Sequence, residues 1–317
     1  MITIIRYDGG DGCGPRVGLL DDDRLYPIPV DSVSRLLQVH VEQARSIIED
    51  ARGRFCLRPT DVRLLAPVDG LTEVWASGVT YERSRDARVE ESSMRDVYQR
   101  VYEAERPELF FKAAAWRVVP DGSPIAVRVD SAQNVAEPEL ILVVNRFAEV
   151  VGYSVRNDMS SRDIEGANPL YLPQAKVYDS SFAMATGICP AWELTDVSAL
   201  DIEMVIVRDD VVVWGGATHT GRLKRKFAEL IEHLFRCYSL PHGVLLSTGT
   251  GIVPELGFTT QPGDVVRICI DGVGRLSNPV IETGAMANQL PAMMRGGVDD
   301  GTASTRRMGR GTALCTG

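Results

Sequence analysis

The chain has 317 residues, 44% of them hydrophobic and 24% charged, with a formal net charge of −9. That is enough for one large domain and a smaller one, and the acidic balance with scattered basic residues argues against nucleic acid or an anionic membrane as partner. No apolar run approaches the roughly 20 residues that cross a bilayer, and the N-terminus "MITIIRYDGGDG" turns polar too soon for a signal peptide.

The six cysteines are far apart and form no C-x-x-C pair, so free thiols in a reducing cytoplasm are expected. The four histidines show no H-E-x-x-H and no paired spacing, which leaves zinc hydrolase chemistry without support.

Residues 1 to 64 read as a small N-terminal α/β domain. "ITIIRY" is a strand, "VGLLDDDRLYPI" a hairpin, and "DSVSRLLQVHVEQARSIIEDARG" a helical pair with Asp31 as N-cap. The connector "LLAPVDGLTEV" carries a proline and a glycine and marks the boundary. After the strand "VWASGV", the stretch from Tyr81 to Pro107 has charges at helical spacing and reads as a mostly solvated helical excursion. Residues 65 to 283 then show short strands separated by turns, interrupted by the helix "LKRKFAELIEHLFRCYSL" with Phe227, Leu230, Ile231 and Leu234 on its apolar face. The fold class is α+β, mainly β. From residue 284 to 317 periodicity is lost, and a loosely attached tail is expected.

The stretch "VAEPELILVVN" sets Glu137 and Glu139 before a continuous apolar run. Alternation puts both on one face of a strand. A hairpin turning at Arg146 and Phe147 brings Asp158 to that face, diagonal to Glu137. Three carboxylates on one buried face repel, and a hard divalent cation with oxygen ligands resolves the conflict. The spacing alone fits an acidic, solvated sheet edge marked by Pro138 equally well. Beyond Asp158, a long loop-like segment carries Arg162, Asp163, Glu165, Lys176 and Tyr178. In "LLSTGTGIVPE", backbone N–H groups around Gly249 and the hydroxyl of Thr250 can receive an anionic group, although a plain turn reads the same way.

In this order the pieces resemble the fumarylacetoacetate hydrolase superfamily over about residues 64 to 282, through "LLAPV", "ASGVTY", "ELFFK", "EPELILVV", "VGYSVRNDMSSRDIE" and "STGTGIVPE". The resemblance implies a mixed β-sandwich roll and Mg²⁺, with Mn²⁺ or Ca²⁺ as alternatives, held by Glu137, Glu139 and Asp158. It matches Lys176 to an active-site lysine, Thr250 to a substrate-contacting threonine and Glu165 to a substrate-facing polar residue. Hydrolases of the superfamily carry G-x-N-Y-x-x-H and a following Glu. Here "GVTYERS" places Thr80 and Ser84 at the Asn and His positions, so that dyad is missing. "GVTYERS", "RPELFFKA" and "IEGANPLYLPQAK" are similar to the branch containing 2-keto-3-deoxy-D-arabinonate dehydratase.

That likeness implies dehydration of a 2-keto-3-deoxy sugar acid to a semialdehyde, 2,5-dioxopentanoate in the five-carbon case. The ketone would be polarised by the ion, a proton beside it removed and the β-hydroxyl lost as water. Lys176 and Glu165 are the acid–base candidates, and Tyr81, Arg83 and Lys112 the further substrate-binding candidates. The resemblance also implies a homodimer or homotetramer. Two other functions remain open at this level: C–C hydrolysis of acylpyruvates or β-diketo acids, and a non-catalytic relative that keeps the metal or binds a ligand.

Overall fold

The apolar run predicted from "ELILVVN" lies near the middle of the largest sheet and is buried along its whole length. The computed structural model describes residues 2–53, 55–91 and 95–284. The chain starts with β1 (Ile2–Asp8), β2 (Pro15–Asp21) and β3 (Arg24–Pro27), then α1 (Val33–Leu36) and α2 (Val41–Glu49). Strands β4 (Arg63–Leu65) and β5 (Glu73–Gly78) lead to α3 (Glu82–Glu91), α4 (Arg95–Glu103) and β6 (Glu108–Ala114). Three short strands follow, β7 (Val119–Pro120), β8 (Ile125–Val127) and β9 (Asn134–Val135), before the hairpin of β10 (Pro138–Val144) and β11 (Val150–Asp158). Next come β12 (Ser160–Ser161), α5 (Arg162–Ala167), α6 (Leu172–Lys176), β13 (Phe182–Met184) and β14 (Gly187–Pro190). The hairpin of β15 (Asp201–Arg208) and β16 (Val211–His219), the helix α7 (Phe227–Phe235), and strands β17 (Val244–Ser247), β18 (Val265–Ile270) and β19 (Gly274–Glu282) complete the described chain.

Twelve strands form one sheet whose main path runs β3-β2-β1-β14-β11-β10-β17-β5-β6, and a five-stranded sheet runs β16-β15-β18-β19-β8. Pairing is mixed, since β17–β5 and β19–β8 are parallel among mostly antiparallel neighbours. The alternation of β10 explains the layers. Leu140, Leu142 and Val144 join a core with Ile202, Met204, Ile206 and Ile268 of the second sheet. Ile141 and Val143 pack on the other side with Ile4, Leu19, Leu36 and Ile48. Each such side chain, fully buried, contributes about 1.5–3 kcal/mol of transfer free energy, so the strand is anchored from both faces.

The sheet continues across the boundary expected near residue 64. Strand β1 pairs with β14, and residues through Gly284 form one compact unit. Local sequence shows each strand but not its distant partner. The helical pair is capped by Ser32, whose extended backbone lets its hydroxyl accept from the Arg35 N–H, so Asp31 is not the cap. The charged excursion is helical as expected, but one side of it is buried at Ser84, Ala87, Arg88 and Tyr98. The expectation for the tail falls, from residue 285 on, outside the described residues. Among the described residues no helix is long and apolar enough to cross a membrane.

Candidate metal centre and active site

The hairpin that carries the carboxylates has a wider loop than expected. The Asn145 N–H donates to Glu149 O, and the Asn145 Oδ1 accepts from the N–H groups of Phe147 and Glu149. Ala148 takes a positive φ of 63° to close the turn. The pairing therefore differs by two residues from a tight turn at Arg146 and Phe147. Glu137 stands directly opposite Asp158, each N–H donating to the other's carbonyl at 3.2 and 2.9 Å. A shift of two leaves every side chain on its predicted face, which is why Asp158 still meets the two glutamates.

Glu137, Glu139 and Asp158 are 3%, 2% and 1% exposed, which excludes the solvated-edge reading. One oxygen from each lies within 4.8 Å of the others. Oxygens around a Mg²⁺ lie about 3–4 Å apart, so small side-chain adjustments gather these three, and the all-oxygen donor set fits a hard divalent cation.

Repulsion among the three does not by itself call for that ion, because the protein supplies cations. Glu137 Oε1 accepts from Arg88 Nη2 at 3.0 Å and Arg162 Nη1 at 3.1 Å, and its Oε2 from Lys176 Nζ at 2.7 Å. Glu139 Oε1 accepts from Arg156 Nη2 at 2.8 Å, and its Oε2 from the Gly249 N–H at 2.8 Å and the Ser247 hydroxyl. Arg156 Nη2 also reaches Asp158 Oδ2, while Lys112 Nζ stands 2.5 Å from Asp158 Oδ1. Burial opposes ionisation of Glu137, yet Lys176, Arg88 and Arg162 hold its carboxyl far below the usual range. For Asp158 burial is likewise outweighed, by Arg156, Lys112 and Lys176. For Glu139 burial wins and the pKa is raised.

The predicted residues separate into two groups. Lys176, at the C-terminal end of α6, adds a bond to the Ser160 hydroxyl and a 3.5 Å approach to Asp158, and it stays cationic because Asp158 and Glu137 outweigh burial. Glu165 on α5 pairs with Arg88 at 2.7 Å. Both line a pocket with the three carboxylates, Ser77, Ser84, Arg88, Glu108, Phe110, Leu172, Gly249 and Thr250. Gly249 has φ +84°, and a Cβ there would fall 2.1 Å from Thr80 Oγ1, so only glycine lets this loop run against Thr80 and aim its N–H at Glu139. The Thr250 hydroxyl is turned to Ile252, whose N–H it accepts at 3.1 Å.

Lys112, Tyr81 and Arg83 are outside the pocket lining. Lys112 is enclosed among Asp158, Ser181 Oγ at 3.3 Å and the carbonyls of Met159 and Lys176, and burial lowers its pKa to about 8. The buried ring of Tyr81 lies beside Gly251, and the Arg83 guanidinium reaches the Val253 carbonyl at 3.4 Å.

Sequence reasoning missed three side chains. Arg156 shares its face with Asp158 by the same period-two count. Arg88 follows Ser84 by one helical turn. Glu108 opens "ELFFK", a motif noted for other reasons. The Glu108 carboxyl rests against Gly78, where a Cβ would meet its Oε2 at 2.1 Å. Among the described residues it is the one pocket carboxyl without an ion-pair partner. Burial, then the nearby Glu165, raises its pKa to about 7. Among the described residues no histidine lines the pocket.

Residues 73–281 match the fumarylacetoacetate (FAA) hydrolase C-terminal family. A probable 2-keto-3-deoxyxylonate dehydratase of Haloferax volcanii is 45% identical over 257 residues, covering 81% of this chain and 86% of the relative. The 2-dehydro-3-deoxy-D-arabinonate dehydratase of Saccharolobus solfataricus is 40% identical, covering 69% and 75%. A solved 2-keto-3-deoxy-D-arabinonate dehydratase complexed with magnesium and 2,5-dioxopentanoate superposes with a TM-score of 0.73 at 30% identity, over 89% of this chain and 99% of the other. The chain belongs to the fumarylacetoacetate (FAA) hydrolase C-terminal family.

Proposed function

We infer that this protein is a hydro-lyase that dehydrates a 2-keto-3-deoxy sugar acid to a 2-keto acid semialdehyde, with a divalent cation, Mg²⁺ first, held by Glu137, Glu139 and Asp158. The observation that carries the reading is the free Glu108 carboxyl beside that triad, in a pocket with Ser84 and without an imidazole. Dehydration next to a ketone needs a base for a carbon-bound proton. Cleavage of a C–C bond by water needs a group that activates the water.

When bound, the divalent ion supplies Lewis acidity to the 2-keto group. Glu108, with a pKa of about 7, exchanges a proton at neutral pH and is the base for the proton on the carbon beside the ketone. Loss of the neighbouring hydroxyl as water completes the elimination. Lys176, cationic and bonded to Glu137 and Ser160, is the donor positioned to meet the departing oxygen. Arg88 spans Glu137 and Glu165 and lines the pocket, where its positive charge would attract the substrate carboxylate. Phe110 and Leu172 form an apolar wall that limits water. Manganese or calcium in place of magnesium, a role in pentose breakdown and assembly as a homodimer or homotetramer belong to the same proposal.

The test is incubation of the purified protein with Mg²⁺ and 2-keto-3-deoxypentonates. A semialdehyde product that disappears with EDTA is expected. Cleavage of acylpyruvates into two acids, with no semialdehyde from the pentonates, overturns the reading.

A further inference from the structure

We propose that Arg156 is a counter-ion built into the chain, whose Nη2 bridges Glu139 and Asp158 and so makes folding independent of the divalent cation. This rests on the reading of the triad as a metal site. The argument begins with pairing. Arg156 faces Glu139 across the β10–β11 ladder and shares its face with Asp158 two residues on. A single nitrogen, Nη2, serves both carboxylates. Glu137 has three basic partners, and Asp158 has Lys112 and Lys176 besides Arg156. Among the described residues Arg156 is the one ion-pair partner of Glu139.

The rest of the guanidinium shows that charge, beyond the two bonds of Nη2, is its role. The side chain is fully buried, and among the described residues Nε and Nη1 have no hydrogen-bond partner. Buried N–H groups left unmatched are unfavourable, so a neutral side chain would suit the space better if space were all that mattered. The planar group lies 5.2 Å over the Phe182 ring, which fixes its plane and keeps Nη2 aimed at the two carboxylates. Removing one member of a buried charge pair while leaving the other is strongly destabilising, whereas removing both is often neutral. The charge role therefore has a signature that a packing role lacks.

Thermal unfolding of four proteins tests it: wild type, Arg156→Met, Glu139→Gln and the double variant, each in EDTA and in saturating Mg²⁺. In EDTA, Arg156→Met should melt roughly 10 °C below wild type, and Mg²⁺ should return most of that loss. The double variant should melt within a few degrees of Glu139→Gln without Mg²⁺. If Arg156→Met lowers the melting temperature as much in the Glu139→Gln background as in wild type, the residue only fills space and the proposal falls. Should Arg156→Met not fold in EDTA, a folded double variant supports the proposal and an unfolded one overturns it. If Glu139→Gln rescues but Mg²⁺ raises no melting temperature, the counter-ion stands and the metal reading of the triad fails.

Discussion

Glu108→Gln removes the one pocket carboxyl that has no ion-pair partner among the described residues, at almost no change in volume. If Glu108 takes the proton in the rate-determining step, kcat should fall by about 10²–10⁴, or about 3–5 kcal/mol of barrier at 1.36 kcal/mol per tenfold. KM should change little, because the triad and Arg88 remain. The same group gives the expected pH profile. With a pKa of about 7, Glu108 is an active base only above neutrality, so wild-type kcat/KM should rise with pH through about 7, and the variant's residual activity should lose that limb. Stability moves the same way for a separate reason. The folded pKa is raised above the unfolded value near 4.5, so the folded state holds the proton more tightly, and Glu108 lowers stability as pH climbs from about 4.5 to 7. Discounted for its partial exposure, the effect is about 1–2 kcal/mol. Glu108→Gln should thus match wild type at pH 4.5 and exceed it at pH 8 in urea unfolding. A steady-state assay of semialdehyde release between pH 5 and 9 decides the catalytic point. Activity within threefold of wild type, with the same limb near pH 7, would refute the assignment.

Glu139→Gln should weaken Mg²⁺ binding by about 100-fold or more, since loss of even an outer partner costs 10–100-fold, while the melting temperature changes little; calorimetric titration reads the first and thermal unfolding the second. Gly249→Ala forces a Cβ to 2.1 Å from Thr80 Oγ1 at positive φ, and should cost about 2–4 kcal/mol in urea unfolding; a loss under 0.5 kcal/mol would show that the loop relaxes freely. Leu142→Ala, in the core between the two sheets, should cost about 2–5 kcal/mol, with kcat unchanged in the folded fraction.

What the sequence made legible was whatever depends on local period. Alternation put Glu137 and Glu139 on one face, and the hairpin brought Asp158 to it even though the loop was misjudged, because an error of two residues preserves parity. The same count reaches Arg156, but an arginine in a strand reads as surface until its partners are known. Arg88, Glu108 and Lys176 arrive from α3, β6 and α6, and only the tertiary fold brings them to one pocket, with Arg162 of α5 behind Glu137. The helix α3 illustrates the limit. Its charges carry almost no periodic signal, so it looks solvated, yet Ser84 and Arg88 are buried because Glu137 and Glu165 receive Arg88 from below.

The charge pattern around the pocket is what favours Glu108 as the proposed base. Five carboxyls, Glu108, Glu137, Glu139, Asp158 and Glu165, meet five cations, Arg88, Lys112, Arg156, Arg162 and Lys176. Four of the carboxyls have at least one cation in contact, and for Glu137 and Asp158 those cations outweigh burial and hold the carboxyl below its usual range. Glu108 differs because Gly78 offers its carboxyl a seat against bare backbone, where Arg88 and Lys176 act on it without an ion pair and do not outweigh burial. A histidine at position 84 would put an imidazole in the same pocket, where water rather than a carbon-bound proton could be its target. Ser84 leaves that place neutral. On the proposed reading the reaction is decided less by the triad, which hydrolase and dehydratase readings share, than by which neighbour of the triad has no ion pair and can take a proton.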